Sequence, residues 1–174
     1  MKQLIVLFAC IFTLGIGSVH AQQKEWAIGL RLGDPSGLNI KKYFGKNNAF
    51  DLSIGSYGNF YGRGRSYRSG YYGNAGIAIM GNYLWQKNIP NANGLTWYYG
   101  LGGMFSSRRY YVYDSSKRVY SSNVALGATA TIGLEYFIPN TPISFFGDVS
   151  AYVEIVPAPF WINLPLGIGG RFNF

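Results

Sequence analysis

From Trp26 to the last residue the chain repeats one pattern in eight blocks. Large apolar side chains occupy every second position, and Gly, Ala, Ser, Thr, Asn and a few charges fill the positions between. A period of two belongs to β-strands, whose successive side chains point to opposite faces, whereas a helix would repeat every 3.6 residues. No segment carries a helical stripe of comparable quality. The first block sets Trp26, Ile28, Leu30 and Leu32 against Ala27, Gly29 and Arg31, and the second sets Leu38, Ile40 and Phe44 against Asn39, Lys41 and Tyr43. Between them Asp34-Pro35-Ser36-Gly37 reads as a turn. Phe50, Leu52 and Ile54 face away from Asp51 and Ser53; Ile77, Ile79, Tyr83 and Trp85 face away from Ala78, Met80 and Asn82. The last four blocks are predicted around Leu95–Phe105, Val124–Tyr136, Ile143–Ile155 and Leu166–Phe174. Lys42 breaks the apolar face of the second block, so either its amine snorkels to a boundary or a bulge shifts the register there.

Eight such strands can close a water-soluble barrel, pack as a sandwich, or close a barrel in a membrane, and the two faces decide between these. Only 13% of the residues are charged, about half the share of an ordinary soluble domain. The mixed face, with Asp51, Glu135, Asp148 and Glu154 beside Arg31, Lys41 and Arg171, offers a thin scatter of charge over many glycines if turned to water. Turned inward, it is a small-residue lumen in which acids and bases can pair. The sequence therefore predicts an all-β, eight-stranded antiparallel up-and-down transmembrane β-barrel, apolar outside and polar inside, occupying residues 22–174 as one domain.

Loop parity agrees. The long connections, Tyr57–Asn74 and Ser106–Ser122, both follow odd-numbered strands and so emerge on one side, with short turns opposite. At the short-turn end every strand carries an outward aromatic: Trp26, Phe44, Phe50, Trp85, Trp97, Tyr136, Phe145, and Phe172 with Phe174. Aromatic rings gather at the level of lipid head groups, and strands of about 9–11 residues suffice to cross the apolar slab.

Residues 1–21 carry the layout of a cleaved signal peptide: Met1-Lys2, an apolar Leu4–Gly17, and Val19-His20-Ala21 before Gln22. Its apolar core is shorter than a transmembrane helix requires. Leu7-Phe8-Ala9-Cys10 sits too early to act as a lipoprotein box. Removal of the leader takes away Cys10 and His20, the only Cys and His, together with one of the charges behind the formal net +8. Disulfide, thiol, His–metal and His acid–base chemistry are thereby excluded from the mature chain, and neither a cofactor nor a metal is expected.

Taken with Gly170-Arg171-Phe172-Asn173-Phe174, this layout resembles the small eight-stranded outer-membrane barrels of Gram-negative bacteria. Gly33-Asp34-Pro35-Ser36-Gly37-Leu38, Gly133-Leu134-Glu135-Tyr136 and Pro139-Asn140-Thr141-Pro142 further resemble barrels of the Bacteroidota. The resemblance implies an outer-membrane location with periplasmic termini, two long extracellular loops, and Phe172 and Phe174 as a signal to the outer-membrane assembly machinery. It assigns no activity. Outer-membrane barrel enzymes resemble one another in using His with Ser or Asp, and the mature chain has no His for that role.

The residues themselves favour binding over catalysis. Asp148 and Glu154 share a face six positions apart, about 20 Å along a strand, too far to act on one bond. A structural salt-bridge network is the expected role of Arg31, Lys41, Asp51, Glu135, Asp148, Glu154 and Arg171, with Glu154 or Asp148 pairing to Arg171 or Arg31; a gated polar pathway is the alternative. The two loops bring Arg63, Arg65, Arg68, Arg108, Arg109, Lys117 and Arg118 together with tyrosines such as Tyr67, against the single acid Asp114. That mixture suits lipopolysaccharide phosphates or a surface or partner-protein contact; nucleic acid is not an expected partner. Eight strands enclose a lumen just wide enough for side chains, here Tyr43, Tyr98, Met80, Met104, Phe146 and Tyr152. The expectation is a non-enzymatic structural or interaction barrel. The other open readings are a narrow channel or carrier for a small or apolar solute, and an accessory subunit of an outer-membrane complex.

Overall fold

A computed structural model describes residues 25–45, 47–58, 66–68, 70–72, 76–114 and 117–174. The leader at 1–21 and the loop positions Arg63 and Arg65 lie outside the described residues. Eight long strands make the wall: β1 (Trp26–Gly33), β2 (Ser36–Phe44), β3 (Asn48–Tyr57), β6 (Gly76–Asn88), β7 (Leu95–Asp114), β8 (Lys117–Phe137), β9 (Ile143–Val156) and β11 (Leu166–Asn173). Three short strands lie between them in the chain: β4 (Ser66–Tyr67), β5 (Gly70–Tyr72) and β10 (Ile162–Asn163). Each wall strand pairs antiparallel with its neighbours, and β1 pairs with both β2 and β11, so the sheet closes on itself. Closure leaves the wall without an edge, which a strand structure needs where no water reaches its backbone.

Alternation sorts the side chains as the sequence predicts. Outward residues such as Leu30, Ile77 and Ile168 are about two-thirds exposed, at 67%, 67% and 64%, while Arg31, Lys41, Glu135 and Arg171 are at most 2% exposed. A continuous apolar belt of this extent is costly in water, at roughly 25 cal/mol per Å², and costs nothing against hydrocarbon. The outward aromatics form their ring at the rim holding Trp26 and Phe174, with Trp85, Tyr99 and Trp97 stacked in sequence at 5.6 and 5.3 Å. Register runs through Lys42 without a bulge, since Trp26, Lys42 and Phe50 align across three strands. The Lys42 amine lies 4.7 Å from the centre of the Trp26 ring, so of the two readings of this residue the structure takes the snorkelling one.

The interior is layered. Near the terminal rim Ala27, Tyr43, Ala49, Leu84 and Tyr98 pack together; near the opposite rim Tyr57, Ala78, Met80, Met104 and Tyr152 do the same. Arg31, Lys41, Asp51, Glu135, Asp148 and Arg171 are sealed between these layers.

Two expectations need correction. Ser106–Ser122 is not a loop: β7 and β8 continue as a paired ribbon out to Asp114 and Lys117. The physical reason is β-propensity, because the segment is rich in Tyr and Val, and its Arg and Ser content masked that signal. The Asp34–Gly37 turn is shorter than expected, since β2 starts at Ser36 and only Asp34 and Pro35, joined by a cis bond, connect the strands. Gly33 has φ 128°, and a Cβ there would stand 2.0 Å from the Leu166 carbonyl oxygen. Glycine is required at that corner.

Candidate functional site

Strand order decides which inward charges meet. Arg171 on β11 lies at the centre of the lumen. Its Nη1 donates to Glu135 Oε1 at 2.7 Å, its Nη2 to Asp51 Oδ2 at 2.6 Å and its Nε to Asn39 Oδ1 at 2.5 Å. The guanidinium also lies 3.6 Å from the centre of the Phe146 ring. Glu135 on β8 accepts in addition from Lys41 Nζ at 2.6 Å, Tyr43 OH at 2.9 Å, Ser144 Oγ at 3.0 Å and Gln86 Nε2 at 3.3 Å. Tyr43 and Tyr98 flank the Lys41 amine with their ring centres 4.9 and 4.7 Å away.

A second node lies beside the first. Arg31 holds Asp148 with two bonds of 2.7 Å, and Tyr98 OH donates to the same carboxylate at 3.1 Å. Gly167 opens the space for this fork: a Cβ there would fall 2.1 Å from Arg31 Cζ. Across the two nodes three bases (Arg31, Lys41, Arg171) meet three acids (Asp51, Glu135, Asp148), so the sealed layer is neutral. Charged groups removed from water persist when they are paired and hydrogen-bonded in this way.

Glu154 does not join either node. It sits one layer up, where Tyr67 OH donates to its Oε1 at 2.6 Å and the Ala158 amide donates to the same oxygen at 3.0 Å. The expected pairing of Glu154 with an arginine of the lumen is therefore corrected. Tyr67 comes from the β4–β5 hairpin, which pairs with the outer part of β7 and sends this side chain inward. Its ring meets Trp161 edge-on at 5.4 Å, and its hydroxyl accepts from Asn123 Nδ2 at 2.6 Å. Asn163 similarly donates to Tyr57 OH at 2.6 Å.

The predicted rim residues separate into inner and outer sets. Arg108 is 3% exposed and lies over the Tyr57 ring at 5.2 Å, so its placement among exposed loop bases is corrected. The cause is parity: position 108 continues the inward series of Tyr98, Met104 and Ser106. Tyr67, also predicted for the loop surface, is buried. Arg68 and Arg109 are exposed, and near Arg109 the outward rings of Tyr71, Tyr111 and Tyr113 follow one another at 5.9 and 5.6 Å. Lys117 and Arg118 lie on the described backbone of β8, with their side chains outside the described residues. Sequence reasoning missed Asn39, Tyr43, Ser144 and Gln86 as donors or acceptors in the ionic layer. Inward parity marked Asn39 and Tyr43 as lumen residues, but not which charge each would serve. Among the described residues no group of three or more His, Cys, Asp and Glu side chains is placed to hold a metal.

No protein-family model matches this chain, and no curated protein matches it. Solved structures do. The N-terminal β-barrel domain of Pseudomonas aeruginosa OprF superposes with a TM-score of 0.58 at 15% identity, over 88% of this chain and 100% of that one. Neisserial surface protein A (TM-score 0.49, 12% identity) and Ail of Yersinia pestis (0.49, 13%) each cover 86% of this chain and 93% of their own. The chain has the fold of the small eight-stranded outer-membrane barrels.

Proposed function

We propose that this protein is a non-enzymatic barrel of an outer membrane, closed along its axis, that acts through the tyrosine- and arginine-bearing rim formed by β4, β5 and the outer part of β7 and β8. The observation that carries this reading is the pairing of a filled lumen, whose central layer is charge-neutral, with an exposed aromatic and basic ribbon beyond the apolar belt. On β7, Trp97 and Tyr111 are 14 positions apart, about 46 Å along the strand at 3.3 Å per residue and about 35 Å in height at a tilt of about 40°. An apolar band about 25 Å tall ends below Tyr111, so Arg109, Tyr111 and Tyr113 stand where phosphates and sugars of the outer leaflet begin. Arginine suits phosphate groups, and flat aromatic rings provide contact area at low entropic cost.

On this reading residues 1–21 direct export and are removed, and the short turns and both termini face the periplasm. Phe172 and Phe174 engage the assembly machinery, and the ribbon contacts lipopolysaccharide or a surface or partner protein. Arg63, Arg65, Arg68, Arg109, Lys117 and Arg118 supply the positive charge of that contact. The test is lipopolysaccharide binding to the refolded barrel, wild type against Arg109→Ser with Tyr111→Ser and Tyr113→Ser. A fall in affinity of about tenfold, roughly 1.4 kcal/mol, supports the reading, and unchanged affinity overturns it. Stable ion-selective steps across a planar bilayer would instead favour the channel alternative.

A further inference from the structure

The outer wall is not evenly covered. Across β7, β8, β9 and β11 it holds an open apolar groove of about 500 Å³, lined by Trp97, Ile132, Leu134, Val149, Leu166 and Ile168. Gly147 forms its floor. A Cβ at Gly147 would meet nothing closer than Ile168 Cγ2, at 3.6 Å. The backbone therefore does not demand glycine there; the outward Gly81, Gly103 and Gly170 are similarly unconstrained, and Gly147 differs from them in lying under the groove.

Of its lining residues, Trp97, Leu134, Gly147 and Ile168 belong to a single row of directly paired, outward residues, which Lys87 beside Trp97 and Leu32 beside Ile168 extend beyond the groove at either end. Wall strands tilt by about 35–45°, so a row perpendicular to them climbs the wall at that angle. It starts at Lys87, near the end of β6 at the terminal rim, and reaches Leu32, near the opposite end of β1. Each step is about 4.8 Å. At its foot the exposed Lys87 amine lies 5.7 Å from the centre of the Trp97 ring, which places one cation at the mouth of an otherwise apolar track. A cation at head-group level, an interfacial Trp beside it and an apolar furrow rising from both match the two ends of one lipid molecule. A protein partner would need about 1,000 Å² of buried surface, more than a furrow one chain wide provides.

We infer that this groove is a binding site for a single anionic glycerophospholipid of the leaflet at the terminal rim, with its phosphate on Lys87 and one acyl chain laid over Trp97 and Gly147. The inference rests on the outer-membrane reading above. The test is native mass spectrometry of barrel refolded into phosphatidylcholine vesicles containing phosphatidylglycerol and then extracted in mild detergent, with heat-modifiable gel migration confirming insertion. Wild type is expected to retain one phospholipid. Gly147→Leu fills the floor and displaces about two methylenes, a loss of retention of roughly tenfold. Gly147→Ala, the variant to use if leucine blocks insertion, lowers retention by about threefold. Lys87→Gln keeps the lipid but loses about fivefold of the preference for phosphatidylglycerol over phosphatidylcholine. An inserted wild type that retains no phospholipid, or an inserted Gly147 variant that retains as much as wild type, overturns the site and leaves the outer-membrane reading standing. A wild type that does not insert overturns both.

Discussion

Glu135→Gln is the most informative perturbation of the lumen. The carboxylate accepts from Lys41, Arg171, Tyr43, Ser144 and Gln86 and is fully buried. Its replacement by an amide of the same shape creates no cavity, so the effect is electrostatic. The sealed layer passes from three bases and three acids to three bases and two acids, and Lys41 loses the carboxylate bonded to it. Removing one member of a buried ion pair costs about 3–5 kcal/mol, and the upper half of that range applies because two cations share Glu135. With a urea dependence of about 2 kcal/mol per M, the unfolding midpoint in vesicles falls by roughly 2 M. Adding Lys41→Met restores neutrality, since Arg171 keeps Asp51 and Arg31 keeps Asp148. The double variant is therefore expected to be about 1–3 kcal/mol more stable than the two single effects sum to. Midpoints are read by tryptophan fluorescence and by heat-modifiable migration. A midpoint within about 0.5 M of wild type for Glu135→Gln, or strictly additive effects in the double variant, would refute the claim that charge balance holds the lumen together.

Three further outcomes follow from the same geometry. Gly167→Ala drives a methyl into Arg31 Cζ, which two bonds to Asp148 hold in place; a loss of about 1–3 kcal/mol is expected from urea titration. Tyr67→Phe removes the hydroxyl that joins Glu154 to Asn123, at a cost of about 1–3 kcal/mol, and frees the β4–β5 hairpin so that limited trypsin digestion at Arg68 accelerates. Leu101→Arg places a charge on the outer wall four residues from Trp97. It is expected to cost about 2–4 kcal/mol in vesicles, whereas a water-facing position would tolerate the change within about 0.5 kcal/mol.

The period-two pattern was enough to separate wall from lumen, because a strand presents alternate residues to opposite faces whatever its neighbours are. Leu30 and Arg31, or Leu134 and Glu135, could be assigned to their sides from sequence alone, and so could the aromatic ring from Trp26 to Phe172. Parity also held the answer for Arg108, which lies in phase with Tyr98 and Met104; composition hid it by making the outer part of β7 look like a loop.

Which inward residues share a level was not legible in the same way. That depends on the stagger of eight strands around a closed barrel, a global quantity that no local window contains. Closure brings Arg171 to Asp51, 120 positions away, and to Glu135, 36 positions away, and it leaves Glu154 one layer higher for a tyrosine from a distant hairpin. The sequence by itself determined that this chain must turn an apolar face outward and close on a polar interior, since no other arrangement suits strands of this periodicity and so little charge. Only the tertiary structure decided that the central layer of the interior is charge-neutral and that Gly147 lies under a groove in the wall, because both depend on register across strands that are far apart in the chain.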